Sequence, residues 1–233
     1  MWKTGRFAAR HFQEPSMAYD EARFFASVRI SIFGGRLRAA QLAGTKTVLA
    51  GFEKALPGGD PRWLAYMLAT AFHETAATMQ PVRETLAASD AEAIVRLDRA
   101  FAAGRLPMVR KPYWRLDAEG KSWLGRGFVQ LTHRRNYEAM SALTGIDLVK
   151  RPERAMEAEV ATAILIHGMV AGSFTGRSLA DFFSGEDEDW DGARAIINGS
   201  DRARLIGSYG RAFHRALVMA PIVTARIEPA SAR

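Results

Sequence analysis

Apolar residues recur along most of the chain at intervals of three and four, the period of helices that turn one face to a core. Phe24, Phe25, Val28 and Ile32 trace one such face, and Gly34-Gly35 supplies the stop. A second segment, 39–56, carries Leu42, Val48, Leu49 and Phe52 before Pro57-Gly58-Gly59 ends it. Asp60-Pro61 opens a third, because Asp caps free N–H groups and Pro at the first helical position loses no bond. Leu64, Met67, Leu68, Ala71 and Phe72 form its stripe, which predicts a core helix over 62–79 that Pro81 closes.

Downstream, Ser89 and Glu92 have capping-box spacing and predict a helix over 89–103, with Gly104 as its exit. The stretch 105–121 holds Pro107, Pro112 and Gly120 around Tyr113 and Trp114 and reads as an irregular loop. The least helical segment is 123–131, where Gly125 and Gly127 flank Arg126 ahead of Phe128, Val129, Gln130 and Leu131. Thr132 stands where it would cap a helix ending near Gly145, and helices are expected over 157–170 and 201–219. Between them, the acidic run Glu186-Asp187-Glu188-Asp189 reads as a solvated loop. The pattern predicts a mainly α fold with one small irregular or β element near residues 123–132. Four parts are expected: a loosely attached leader over 1–17, with Met17 a second possible start; a helical pair over 18–58; the main domain over 59–220; and a tail over 221–233.

With 233 residues, 48% of them hydrophobic, the chain is long enough for one good core. No apolar run reaches the roughly 18 residues of a membrane span, and the first fifteen positions mix Lys3, Arg6 and Arg10 with single aromatics, which reads as neither signal peptide nor anchor. Cysteine is absent, which excludes disulfides and thiolate zinc sites. The net charge of +7 favours polyanionic partners. Its mostly Arg cations are scattered, without zinc-finger, basic-zipper or RNP-type spacing, so nucleic acid is not the expected partner.

Candidate chemistry begins at His73-Glu74-Thr75. Glu74 falls three residues after Ala71, at the edge of the apolar stripe, where desolvation would tune a carboxyl toward general-acid work; the alternative is a Glu that pairs with an Arg and merely ends the helix. A zinc-protease helix needs a second His where this chain has Ala77, and the other histidines lack ligand spacing, so no metal or cofactor is expected. Gly-Arg-Gly at 125–127 lacks the Lys-Ser/Thr of a phosphate loop. Glu84 follows Glu74 with Pro81 between them, so the chain can turn back and set two carboxyls across a cleft. Such a pair suits glycoside cleavage, with roughly 6.5–9.5 Å between acid and base for inversion and about 5–5.5 Å for retention.

His73-Glu74-Thr75, then Gly125-Arg126-Gly127-Phe128-Val129-Gln130-Leu131-Thr132 with Asn136-Tyr137, then Ile196-Ile197-Asn198-Gly199 stand in the order found in glycoside hydrolase family 19. The chain resembles that family of plant-type chitinases and endolysins over about residues 60–215. It is most similar to the phage-type endolysins through Met79-Gln80-Pro81-Val82-Arg83-Glu84. The resemblance implies a lysozyme-like α-helical domain in which Glu74 is the general acid, Glu84 the base that activates water, and Thr132 the hydroxyl that holds that water. It further implies that Gln130, Asn136 and Asn198 bind N-acetyl sugars, with Tyr137 packing beside the cleft or, as the alternative, joining them on the sugar. Two departures stand out: Ala76-Ala77 replaces a Gly-Gly, and Thr85-Leu86 replaces a Tyr-Gly turn, which leaves Asp90 and Glu92 as substitute acids near Glu84.

The expected substrate is the glycan strand of peptidoglycan, since basic charge suits an anionic wall and gains nothing on neutral chitin. A chitinase, or a wall-binding module that keeps the fold without the activity, are the alternatives. Without an export signal, the protein is expected to be made in the cytoplasm and to reach the wall after release.

Overall fold

The computed structural model describes residues 19–220. The expected leader and tail lie outside the described residues, as does Met17. Helix α1 (Glu21–Ser31) is capped by Asp20, whose carboxylate accepts from the Arg23 N–H, and it buries Phe24 and Val28. Helix α2 (Ala39–Ala55) buries Val48, Leu49 and Phe52, and helix α3 (Pro61–Glu74) starts at the Asp60-Pro61 signal. All residues from Leu64 through Phe72 are buried, so α3 is covered on every side instead of along one stripe. Helix α8 (Ala203–Val218) runs against it, and Gly210 lets the Trp190 and Tyr66 rings approach its backbone. Helix α6 (Ala158–Val170) packs on α2, where Gly51 makes room for the Thr162 methyl. One apolar cluster draws on α1, α2, α3, α6 and α8 alike, so the core continues across residue 58.

A second, smaller cluster forms beside it. Helix α4 (Asp90–Ala102) contributes Ala93 and Leu97, which meet Ala87, Trp114 and Leu124. The Trp114 indole N–H donates to Asp98, so the ring is buried without stranding its polar atom. Trp123 belongs to the large cluster and Leu124 to the small one, as alternation along an extended segment dictates. The expected irregular element thus joins the two. It contains strand β2 (Arg126–Gly127), paired antiparallel with β1 (Val82–Arg83) in the register Val82↔Gly127 and Arg83↔Arg126. The mainly α fold with a small β element is as the pattern predicts.

Several local expectations need correction. Helix α3 stops at Glu74, not near 79, because the Thr75 hydroxyl donates to the Ala71 carbonyl and accepts the Met79 N–H. Ala76, Ala77 and Met79 then take left-handed backbone conformations. Helix α5 (Arg134–Thr144) is preceded by His133, not capped by Thr132, and Gly145 ends it in the left-handed region. Ser89 does cap α4, but Glu92 reaches back to the N–H of Ala88, not to that of Ser89. The acidic run is no simple loop: β3 (Phe183–Ser184) and β4 (Asp187–Glu188) make a hairpin turned at Gly185. Arg62 ties it to the start of α3 by donating to the Gly185 and Asp187 carbonyls. Short helix α7 (Ala195–Asn198) follows. Among the described residues no helix is long and apolar enough to cross a membrane.

Candidate active site

The chain between Glu74 and Glu84 is braced from α2. Gln41 donates to the Ala77 carbonyl at 2.9 Å, Gln80 donates to the Ala40 carbonyl at 2.6 Å, and Gly44 faces the Met79 carbonyl so closely that any Cβ there would overlap it. An α2 segment without chemistry of its own therefore fixes the turn that follows the first acid.

Glu74 is the last residue of α3, with 18% of its side chain exposed. It does not sit in an apolar pocket. The Arg194 guanidinium, only 4% exposed, donates from Nη1 to Glu74 Oε1 at 2.5 Å, and its Nε donates to the Asp201 carbonyl. Burial pushes the neighbouring His73 imidazole below its ordinary pKa; the Glu74 carboxylate pulls it back up and Arg194 adds to the lowering. Asn198 stands one helical turn after Arg194, on an exposed stretch.

Glu84 opens a single 3₁₀ turn, Glu84–Leu86, in which Thr85 and Leu86 are left-handed. Its own N–H donates to the Gly125 carbonyl at 2.7 Å, continuing the β1–β2 ladder by one step. The carboxylate is held from two directions, Oε1 by the Tyr113 hydroxyl at 2.7 Å and Oε2 by the Gly125 N–H at 2.8 Å. Burial raises the Tyr113 pKa, and the bond to Glu84 raises it further. The Tyr113 ring lies 4.1 Å from the His133 ring, centroid to centroid. Around Gly125 the spacing is tight: a Cβ there would meet Gln130 Oε1 at 2.7 Å, Thr132 Cγ2 at 3.2 Å and Glu84 Cβ at 3.3 Å. Glu84, Gln130 and Thr132 thus converge on one glycine.

Arg126 holds this element in place from below. It is 1% exposed, and it donates to Asp90 Oδ2 at 2.6 Å, to the Ser122 carbonyl at 3.1 Å and to the Tyr137 hydroxyl at 2.8 Å. Arg83 pairs with the other Asp90 oxygen at 2.6 Å. Burial alone would raise the Asp90 pKa, but the bonds from Arg126 and Arg83 outweigh it and hold the carboxyl below its usual range. Asp90 is therefore occupied, as is Glu92 with the Ala88 N–H and Arg96, and neither substitutes for Glu84.

Five of the seven expected site residues fall into two groups, and Asn136 and Tyr137, both on α5, belong to neither. Glu84, Gln130 and Thr132 gather at Gly125, whereas Glu74 and Asn198 stand with Arg194. Among the described residues no hydrogen bond or ion pair joins Glu74 to Glu84. The Thr132 hydroxyl and the Asn136 and Asn198 side-chain amides have no protein partner among the described residues, while Gln130 donates to the Val82 carbonyl. Of the two readings of Tyr137, packing holds and sugar binding does not: it is fully buried, its hydroxyl donates to the Leu124 carbonyl and accepts from Arg126, and burial pushes its pKa up to about 12. It is a packing residue with no surface for a sugar.

Sequence reasoning missed Arg194 and Tyr113 as partners of the two acids. Arg194 lies four residues before Asn198, a spacing that puts both on one side of a turn. Nothing in the Pro-flanked loop marked Tyr113 apart from its neighbours. A comparison with protein-family models finds no match, and a comparison with curated proteins finds none either.

Proposed function

We propose that this chain is a peptidoglycan-degrading glycoside hydrolase that cleaves a β-1,4 bond between N-acetylated amino sugars, with inversion. The convergence of Glu84, Gln130 and Thr132 on Gly125 carries this reading. It gathers a carboxylate, an amide and a threonine whose hydroxyl is unpartnered among the described residues, a set suited to holding and activating a water beside a sugar. Tyr113 and Gly125 orient the Glu84 carboxylate and each engages one oxygen, leaving further lone pairs to accept a proton from that water. Thr132 would hold the water on its other side. Glu74 acts as the acid: Arg194 occupies Oε1, so Oε2 is the atom that delivers a proton to the leaving glycosidic oxygen. Asn136, Asn198 and Gln130 supply hydrogen bonds to acetamido groups.

A second reading draws on a specific observation. The grip of Arg194 on Glu74 suits an acid that only closes its helix, in a module that binds the wall without cutting it. Purified protein tested on isolated murein across pH 4–8 separates the two. Solubilised fragments with new reducing ends by mass spectrometry, lost in Glu74→Gln and in Glu84→Gln, support the hydrolase. Intact murein throughout overturns it, and cleavage of soluble chitin oligomers with murein left whole would make the enzyme a chitinase.

A further inference from the structure

We infer that the cavity beside Glu84 is a subsite for a carboxylate-bearing substituent of the glycan, which makes the site favour an anionic amino-sugar polymer over a neutral one. The substrate class rests on the hydrolase reading above. The cavity measures about 430 Å³, enough for a sugar ring with its substituent, and Met108, Arg110, Lys111, Tyr113, Trp123 and His133 line it. It shares a wall with the acid pair's second member, since the Tyr113 hydroxyl in that wall donates to Glu84. A ring held there therefore lies against the tyrosine that holds the group expected to activate water.

Its lining divides into two kinds of surface. Tyr113 and His133 present rigid aromatic bodies 4.1 Å apart, while Trp123, only 5% exposed and backed by Tyr137 at 5.3 Å, lines the cavity from a buried position. Such faces take the apolar side of a ring at little entropic cost. The other surface is cationic. Arg110 and Lys111 are exposed and make no ion pair among the described residues. Arg134 also borders the cavity, but it is taken up by Asp117, Glu119 and Glu138 and lies over the Trp123 ring. The two cations without an ion pair are thus the ones left for a ligand.

These cations stand on an anchored loop. Leu106, Val109 and Tyr113 on either side of them pack against the small apolar cluster of Trp114 and Leu97, so the loop presents its charges from a fixed base. Met108, 90% exposed beside them, adds apolar surface to the rim. Free cations, aromatic walls and a neighbouring carboxylate match a sugar that carries its negative charge on a side arm, away from the bond to be cut. Peptidoglycan offers two such arms, the lactyl carboxylate of muramic acid and the carboxylates of the stem peptide.

Isothermal titration of the full chain tests this with three probes: chitotetraose, a peptide-free muramic-acid disaccharide, and the same disaccharide with its stem peptide. At low salt at least one anionic probe should bind about three- to tenfold more tightly than chitotetraose, the range two exposed charge contacts provide. The tighter of the two anionic probes identifies the arm. Arg110→Ala/Lys111→Ala should abolish the preference and leave chitotetraose affinity unchanged, with Lys111→Glu reversing it. Equal binding of all probes by the unaltered protein, an equal loss for all in the double variant, or no binding of either anionic probe overturns the inference. Preferential binding by a protein that turns over none of them keeps the subsite and overturns the hydrolase reading instead.

Discussion

Removing the carboxylate of Glu74 should destabilise the fold as well as silence the site, because of what it leaves behind. Arg194 is nearly enclosed, and without Glu74 its guanidinium keeps only the Asp201 carbonyl. Breaking one side of a buried pair costs about 3–5 kcal/mol. Glu74 itself is 18% exposed, so water relieves part of the penalty, and about 2–4 kcal/mol is expected for Glu74→Ala. Glu74→Gln keeps an oxygen for Arg194 to bond and should cost about 1–2 kcal/mol. Arg194→Met places an apolar chain of similar length in the enclosed position and strands only the better-solvated partner, so it should cost less than Glu74→Ala. The double variant removes the uncompensated charge, and its loss should fall well short of the sum of the single losses. Urea unfolding of the unaltered protein and the four variants, followed by circular dichroism, measures all of these. Single losses below about 0.5 kcal/mol that add without coupling would refute the reasoning and make the pair a solvated surface contact.

Three further outcomes are expected. Tyr137→Phe removes a hydroxyl with two bonds and should destabilise by about 1–3 kcal/mol while leaving KM for glycan unchanged; a rise in KM with unaltered stability would mean that the ring meets substrate after all. Gly44→Ala must displace the Met79 carbonyl and should cost about 1–3 kcal/mol, read as a lower urea midpoint; an unshifted midpoint would show that the turn after Glu74 yields freely. His73, His133 and His214 all have pKa values lowered chiefly by burial, so protonation favours the unfolded chain. Their contribution is complete above about pH 6.5 and is lost as pH falls through the lower folded values. Midpoints should drop between pH 7 and pH 5, less so in His133→Asn, and a flat profile would exclude the effect.

The helices were legible because their signals are local. Asp60-Pro61 starts α3 and Gly145 follows α5 for reasons that lie within a few residues. The end of α3 was not legible, since Thr75 and Gln41 decide it and Gln41 comes from a helix far back in the chain. The grouping of Glu84, Gln130 and Thr132 has the same character: each belonged to a quoted motif, but the glycine that gathers them acts through strand pairing. Arg194 and Tyr113 escaped notice because a partner across more than twenty residues leaves no periodic trace. Tyr137 went the other way, a motif residue that the packing of Arg126 turns inward.

The bracing of the 75–80 turn by α2 makes the opening segment a structural support of the candidate site, although it contributes no side chain to it. Trimming the protein to a fragment beginning at residue 59 would keep both glutamates and every motif, yet strip Ala77, Met79 and Gln80 of their supports. Any transplant of this site into another protein needs the first helices as much as the motifs.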